Sequence, residues 1–367
     1  MFDPGRLVRA ALLVLLVLAP LQLDAGLLQT GCLTMAAIVA AMGLTILVGA
    51  AGQLSLAHAF FLAVGAYSYA FYAGPTSSAA AAKGLGLPTM VAMVLAVLTS
   101  GAVGLLFSPI SGRLRGIYLG VASLSLVFIG EFLYENVRSV TGGFNGRAAV
   151  PFNLLGLEFS NKSKPVVLGV PFGKLEKLWL LELALTILAY LFARNVLRGR
   201  MGRAMQTMRD SEVAAAVMGV DVQRTKAGAF VLSSMYGGLG GVMLALAIGR
   251  VTPANFGLAL SIAYLAAIVI GGLGSVSGAV VGSIFVTAGP LLMNRYSDSL
   301  PFLAQPGSFG YDGSTVAALL YGAAVIAVVL FEPGGLVALG HRLTALRGRS
   351  AVPAQHVTSN ETQRENA

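Results

Sequence analysis

The segment Gly49-Ala-Ala-Gly-Gln-Leu-Ser-Leu-Ala-His58 brings an amide (Gln53), a hydroxyl (Ser55) and an imidazole (His58) together between two apolar runs. One reading is a tight turn with a hydrogen-bonded histidine. The other is a broken helix, whose freed backbone donors and acceptors hold substrates or ions in transporters. Farther along, Glu131 follows Phe128-Ile-Gly130 near the end of its apolar run, either as an interfacial carboxylate or as one facing a polar pathway. A carboxylate at mid-membrane costs on the order of 2.5–3.5 kcal/mol on insertion scales, and much less a turn from the interface. In Ser139-Val-Thr-Gly-Gly-Phe-Asn-Gly146, which holds Thr141 and Asn145, the glycines and asparagine favour turns and can present consecutive N–H groups to an anion; a plain loop is the alternative. His58, His341 and His356 are too scattered to bind a metal, and no Ser, His and acid set lies within common reach. No G-x-x-x-x-G-K-[ST] loop occurs, so the chain is not expected to hydrolyse ATP or to act as an enzyme.

A different kind of signal lies at Arg203-Ala-Met-Gln-Thr-Met-Arg-Asp-Ser-Glu-Val-Ala-Ala-Ala-Val-Met-Gly219. Asp210 or Ser211 can cap a helix here, Glu212 sits in its first turn where the macrodipole favours an anion, and Gly219 supplies a left-handed end. The pattern predicts a polar surface helix of roughly two turns. Asp221 offers the next N-cap, before an apolar run that resumes at Ala227. The segment is either an ordinary connection or a surface read by another protein.

The elements that must position these residues are apolar. The chain of 367 residues is 56% hydrophobic and 11% charged, with a mean hydropathy of +0.82 and 46 glycines, where soluble domains carry roughly 25% charged residues. It is therefore expected to be all-α, a polytopic integral membrane protein in lipid. Candidate spans run over 7–23, 28–50, 53–73, 88–109, 116–135, 177–194, 227–248, 257–272, 277–293 and 314–332. That gives about ten transmembrane helices, within a range of eight to ten.

Arg6 and Arg9 at one end and Arg342, Arg347 and Arg349 at the other place both termini in the cytoplasm. Arg6, Arg9 and the apolar run Ala10 to Ala19 also have a signal-peptide pattern with cleavage near Ala25, but an uncleaved first helix is preferred. Parity puts Arg113 and Arg115 inside, with a cytoplasmic loop at 195–226. The stretch Arg194 to Lys226 holds seven Lys or Arg against three acids. The net charge of +9 is thus read as orientation, not as a nucleic-acid footprint. The loop 136–176 falls outside, against the rule, because it carries Arg138, Arg147, Lys162, Lys164 and Lys174. The membrane domain covers 1–342, and 343–367 reads as a polar, disordered cytoplasmic tail. The short pair 257–272 and 277–293 is two tilted spans or a re-entrant hairpin. Gly49, Gly52 and Ser55 match Gly271, Gly274 and Ser277 at a constant offset of 222, a faint internal repeat. Cys32, the single cysteine, excludes an intrachain disulfide.

Taken together, these stretches resemble the LivM-type permease subunits of branched-chain amino acid ABC importers. The resemblance rests on Gly43 to Ala59 with Gly65-Ala-Tyr67, Arg115-Gly-Ile-Tyr118, Thr141 to Gly146, Gly202 to Gly219, Ser261, and Gly271-Gly-Leu-Gly-Ser-Val-Ser-Gly278, spread over about 43–340. The family's companion permease lacks the Thr-Gly-Gly-x-Asn-Gly element and differs around Gln-Leu-Ser-Leu. Ala57 and Ser277 depart from the family's common residues, and Leu154 to Leu175 matches no pattern. The resemblance implies a helix that docks on an ATPase, with Arg203, Arg209, Asp210, Glu212 and Gly219 as coupling residues. It leaves Gln53, Ser55, His58, Glu131, Thr141 and Asn145 as candidates for the translocation path. It also implies a second, LivH-type permease, two ATP-binding subunits that hold ATP and Mg, and a periplasmic substrate-binding protein. No cofactor is expected in this chain, and the bacterial inner membrane is its expected location. Similar motifs occur in importers of urea or short amides, which leaves the cargo open. A stand-alone secondary transporter is the remaining alternative.

Overall fold

The computed structural model describes residues 11–338 except 12, 77–82, 115, 155, 161–165, 168–169, 297–318, 320, 324, 328–329 and 331–334. The start of the expected first span, most of the span at 314–332, Arg115 and the tail at 343–367 lie outside the described residues. The described chain is helical: α1 (Ala25–Leu44), α2 (His58–Tyr72), α3 (Thr89–Arg113), α4 (Ile117–Asn136), α5 (Lys174–Arg198), α6 (Arg200–Asp210), α7 (Glu212–Val217), α8 (Val222–Ile248), α9 (Leu258–Gly271), α10 (Val276–Ser283) and α11 (Gly289–Tyr296). A π-helical stretch, Thr45–Ala50, continues α1, and another, Ile284–Ala288, joins α10 to α11. Three antiparallel pairs of two-residue strands are the β-structure among the described residues.

Seven described helical segments are long and apolar enough to cross a membrane: Ala25–Ala50, Thr89–Arg113, Ile117–Asn136, Lys174–Arg198, Val222–Ile248, Pro253–Gly271 and Val276–Met293. The expectation of ten spans exceeds this set. At 53–73 the helix starts only at His58, leaving 15 residues, or about 22 Å of helix. Gly52 to Ala57 is irregular, with Gln53, Ser55 and Ala57 buried and Gly52 and Leu54 exposed. The helix that includes the expected span 227–248 begins at Val222, directly after the expected cap Asp221.

Packing follows residue size. Helix α1 is apolar on all sides and buried along most of its length, the mark of a central helix. Along α3 the buried face reads Ala92, Ala96, Ser100, Gly104 and Ser108, one small residue every fourth position. Its large residues, such as Val94, Leu98, Leu105 and Leu106, point outward. With no hydrophobic drive between helices in lipid, such small faces let backbones approach. Helix α8 meets α3 and α2 on this principle: a Cβ on Gly238 would lie 2.5 Å from the Ser100 Cβ, and one on Gly65 would lie 2.2 Å from the Gly238 carbonyl oxygen. The Ser100 hydroxyl donates to the Ser234 carbonyl at 2.8 Å.

At one end of this bundle lie 51–57, α6, α7 and the turn after α9. The other end is stitched by the connection that follows α4. There Arg147 pairs with Val251 in a two-residue ladder, Tyr69 Oη donates to the Val150 carbonyl (2.9 Å), and Thr89 and Asn153 exchange hydrogen bonds of 2.9 and 2.8 Å. Arg147 itself is buried, donating to the Val140 carbonyl at 3.0 Å with its guanidinium 5.4 Å from the Phe71 ring centre. Burial pushes its pKa down. One of the charges that strained the positive-inside pattern is therefore a packed structural group.

Asp24, ahead of α1, pairs with Arg295 at the end of α11. The Arg295 guanidinium holds this carboxyl below the usual carboxylate range. A depressed carboxyl stabilises the fold above its unfolded pKa, and that contribution disappears as pH falls through the lower folded value. Asp24→Asn should therefore lower the melting temperature in detergent slightly at pH 7. The gap from the unmodified chain should shrink steadily below about pH 4. A gap that does not change with pH would assign the effect to packing.

Candidate functional site

The connection between α6 and α8 forms its own small structure. Ser211 is the residue that caps α7, its Oγ accepting from the Ala214 N–H at 3.2 Å, whereas Asp210 ends α6. The chain leaves α7 through Gly219 at φ 83°, and Asp221 caps α8 by accepting from the Arg224 N–H at 3.0 Å. A Cβ on Gly219 would meet nothing within 4 Å, so its requirement is conformational alone.

The candidate coupling residues divide by direction. Arg203 and Asp210 are exposed. Glu212 turns inward to Lys226 on α8 at 2.7 Å, and the lysine side chain is only 4% accessible. Arg209 approaches Asp210 at 3.5 Å, while its Nη1 donates to the Gly49 carbonyl at 2.7 Å. The face left outward is not the polar one expected. It carries Val213, Val217 and Met218 at 71, 84 and 77% exposure, with Ala215 buried behind. The i, i+4 spacing of Val213 and Val217 is the signal of it in the sequence.

Beneath α6, the 53–58 segment forms a buried polar cluster. His58 Nε2 donates to the Ala40 carbonyl at 2.7 Å, and the ring meets Tyr264 edge-on at 5.9 Å. Ser55 Oγ accepts from the Ala57 N–H at 3.3 Å. Two hydroxyls from other helices satisfy the interrupted backbone: Ser123 accepts from the Leu56 N–H (2.8 Å) and Ser261 from the Ala59 N–H (2.9 Å). Gln53 is buried, yet neither atom of its amide has a hydrogen-bond partner among the described residues. Such a group costs about 1–3 kcal/mol where it stays unmade.

Glu131, Thr141 and Asn145 lie toward the opposite end of the bundle and do not join this cluster. The Glu131 carboxylate approaches the start of α9, with one oxygen 3.2 Å from where a Cβ on Gly257 would stand. That helix has no cap from its own sequence, and a carboxylate at an N-terminus is favoured by the dipole. The Thr141 hydroxyl approaches the Tyr134 and Val137 carbonyls at 2.7 and 2.9 Å and accepts from the Gly143 N–H at 3.1 Å, which fixes the turn. Asn145 is exposed, its carbonyl accepting from Arg250 at 2.9 Å. Sequence reasoning singles out Glu131 as the strong intramembrane carboxylate and misses Glu182. Glu182 is fully buried on α5, against the Cys32 thiol of α1. Its position well inside an apolar helix is the signal that could have found it.

A bundle of apolar helices with a broken segment, capped at one end by a solvent-exposed helical connection, is the architecture of a multi-pass membrane protein. Residues 26–330 match the family model described as the permease component of the branched-chain amino acid transport system, and the chain belongs to that family. It is 29% identical over 361 residues to the high-affinity branched-chain amino acid transport system permease protein LivM of Escherichia coli K12, covering 94% of this chain and 78% of that one. Against the Salmonella typhimurium LivM protein it is 30% identical over 342 residues, covering 89% and 73%. The companion permease LivH of Salmonella typhimurium is 24% identical over 263 residues, covering 70% and 81%. No solved structure matches the chain. Its family makes it a transport component rather than an enzyme.

Proposed function

We propose that the chain is the LivM-type permease subunit of an ABC importer in the bacterial inner membrane, carrying branched-chain or related hydrophobic amino acids inward. It pairs with a LivH-type permease, two ATP-binding subunits that hold the nucleotide and Mg, and a periplasmic binding protein. Both termini and the α6–α7 connection face the cytoplasm. ATP binding closes the ATPase pair, α7 moves with it, and the spans shift toward an inward-open state.

The observation that carries this reading is the outward face of α7. Val213, Val217 and Met218 form an exposed apolar patch on a connection outside the apolar spans, and such patches mark protein contacts. The pair Glu212–Lys226 holds that patch against α8, the central packing partner of α1, α2 and α3. A protein that seizes α7 thereby pulls on the core of the bundle.

Purification of the tagged chain in mild detergent, with mass spectrometry of what accompanies it, tests the reading. Recovery of a second permease and ATP-binding subunits is expected. A chain that purifies alone and transports in liposomes under an ion gradient would overturn it. The cargo is then read by screening branched-chain amino acids, urea and short amides against the co-encoded binding protein.

A further inference from the structure

Two stretches of backbone meet beneath α6, and Gly335 packs on one of them. A Cβ on Gly49 would stand 2.4 Å from the Gly274 nitrogen, and one on Gly335 would stand 2.4 Å from the Gly272 nitrogen. The contacts are therefore main chain against main chain. Gly49 and Gly52 lie at the end of the helix that α1 begins, with the same spacing as Gly271, the last residue of α9, and Gly274. The faint repeat of the sequence thus returns in space with its two copies touching.

Arg209 lies over this contact. Its Nη1 donates to the Gly49 carbonyl at 2.7 Å, and a Cβ on Gly52 would come within 2.6 Å of the Arg209 Cγ. It stands two residues before Ser211, the cap of α7. The bond is charge-assisted and places a cation at the carboxyl end of the helix that α1 begins, where the dipole favours it. Backbone contacts contain no rotamers to adjust, so the two segments either stay together or part. The unpaired Gln53 amide in the same segment stands to gain partners when they part.

We infer that Arg209 is a positioning residue through which movement of α7 reaches the Gly49–Gly274 contact, and that this contact seals the cytoplasmic mouth of the transport path. The inference rests on the importer reading above.

The test uses the complete complex in liposomes with its binding protein and radiolabelled leucine. Arg209→Met is expected to keep both ATP-binding subunits and their ATP hydrolysis while uptake falls at least tenfold. Arg209→Lys, which retains a donor for the carbonyl, is expected to recover part of the uptake. Gly49→Ala, which wedges the seal, is expected to leak leucine without ATP. Near-normal uptake by Arg209→Met overturns the inference. So does loss of the ATP-binding subunits from that variant, since Arg209 would then be a docking residue. If Gly49→Ala does not accumulate as folded protein, the two Arg209 variants decide alone. Absence of ATP-binding subunits from the unmodified complex would count against the importer reading instead.

Discussion

Glu212→Lys is expected to leave the chain inserted in the membrane but to reduce uptake at least tenfold. Lys226 is almost entirely buried, and the substitution sets a second ammonium against it in place of the carboxylate 2.7 Å away. Breaking a buried ion pair costs about 3–5 kcal/mol, and the partial exposure of Glu212 puts this case at the low end. Helix α7 is only six residues long, with one serine cap, so it has little stability of its own with which to absorb that cost. The expected outcome is local release of α7 rather than global unfolding. The check is uptake in proteoliposomes alongside co-purification of the ATP-binding subunits. The double reversal Glu212→Lys with Lys226→Glu should restore part of the activity, since contacting pairs are not additive. Normal uptake by the single variant would remove this pair from the coupling route.

The second large effect concerns the centre of the bundle. A Cβ on Gly241 would lie 1.9 Å from the Leu62 carbonyl oxygen, a backbone atom that cannot swing aside. Gly241→Leu should therefore force α8 and α2 apart. Overpacking costs typically 1–3 kcal/mol and sometimes more, and a backbone clash belongs at or above the top of that range. The expected result is a chain that aggregates on size-exclusion chromatography in detergent. Gly112→Ala is the matched control, because a Cβ there meets nothing within 4 Å. It should leave stability unchanged or raise it by up to about 1 kcal/mol, since alanine is the better helix former. Equal behaviour of the two variants would contradict close packing of α8 on α2.

Local chemistry in the sequence is enough to place the surface helix. A side-chain cap, a glycine in the left-handed region and an aspartate cap act within a few residues, so Gly219 and Asp221 are legible in the sequence by themselves and the first cap is narrowed to Asp210 or Ser211, of which the structure uses Ser211. The direction in which Arg209 and Glu212 point is not. Arg209 meets a carbonyl 160 positions away, and no periodicity encodes that distance. A break after Gly49 is legible from its glycines and polar residues, but the expected span resumes at 53, and the irregular stretch up to His58 depends on Ser123 and Ser261, which arrive from helices far along the chain. Glu182 escapes notice because hydropathy averages over a span, and one carboxylate hardly changes the average. Polarity alone groups Glu131, Thr141 and Asn145 with Gln53, Ser55 and His58. Residue type carries no information about the end of the bundle on which a loop lies.

The closeness of α2, α3 and α8 has a mechanical consequence. Where glycine and serine bring main chains into direct touch, little side-chain material separates the helices, and the large groups that do lie between them, Phe61, Phe107 and Phe230, are packed ring against ring. Bending one of the three would compress its neighbours at once, so close packing resists their separate movement. Shape change must then be concentrated at their margins, where the hydrogen-bond ladder is already interrupted: the segment before His58 and the turn after Gly271. In the proposed importer the three helices would act as the slat of a shutter, with those two segments as its pivots.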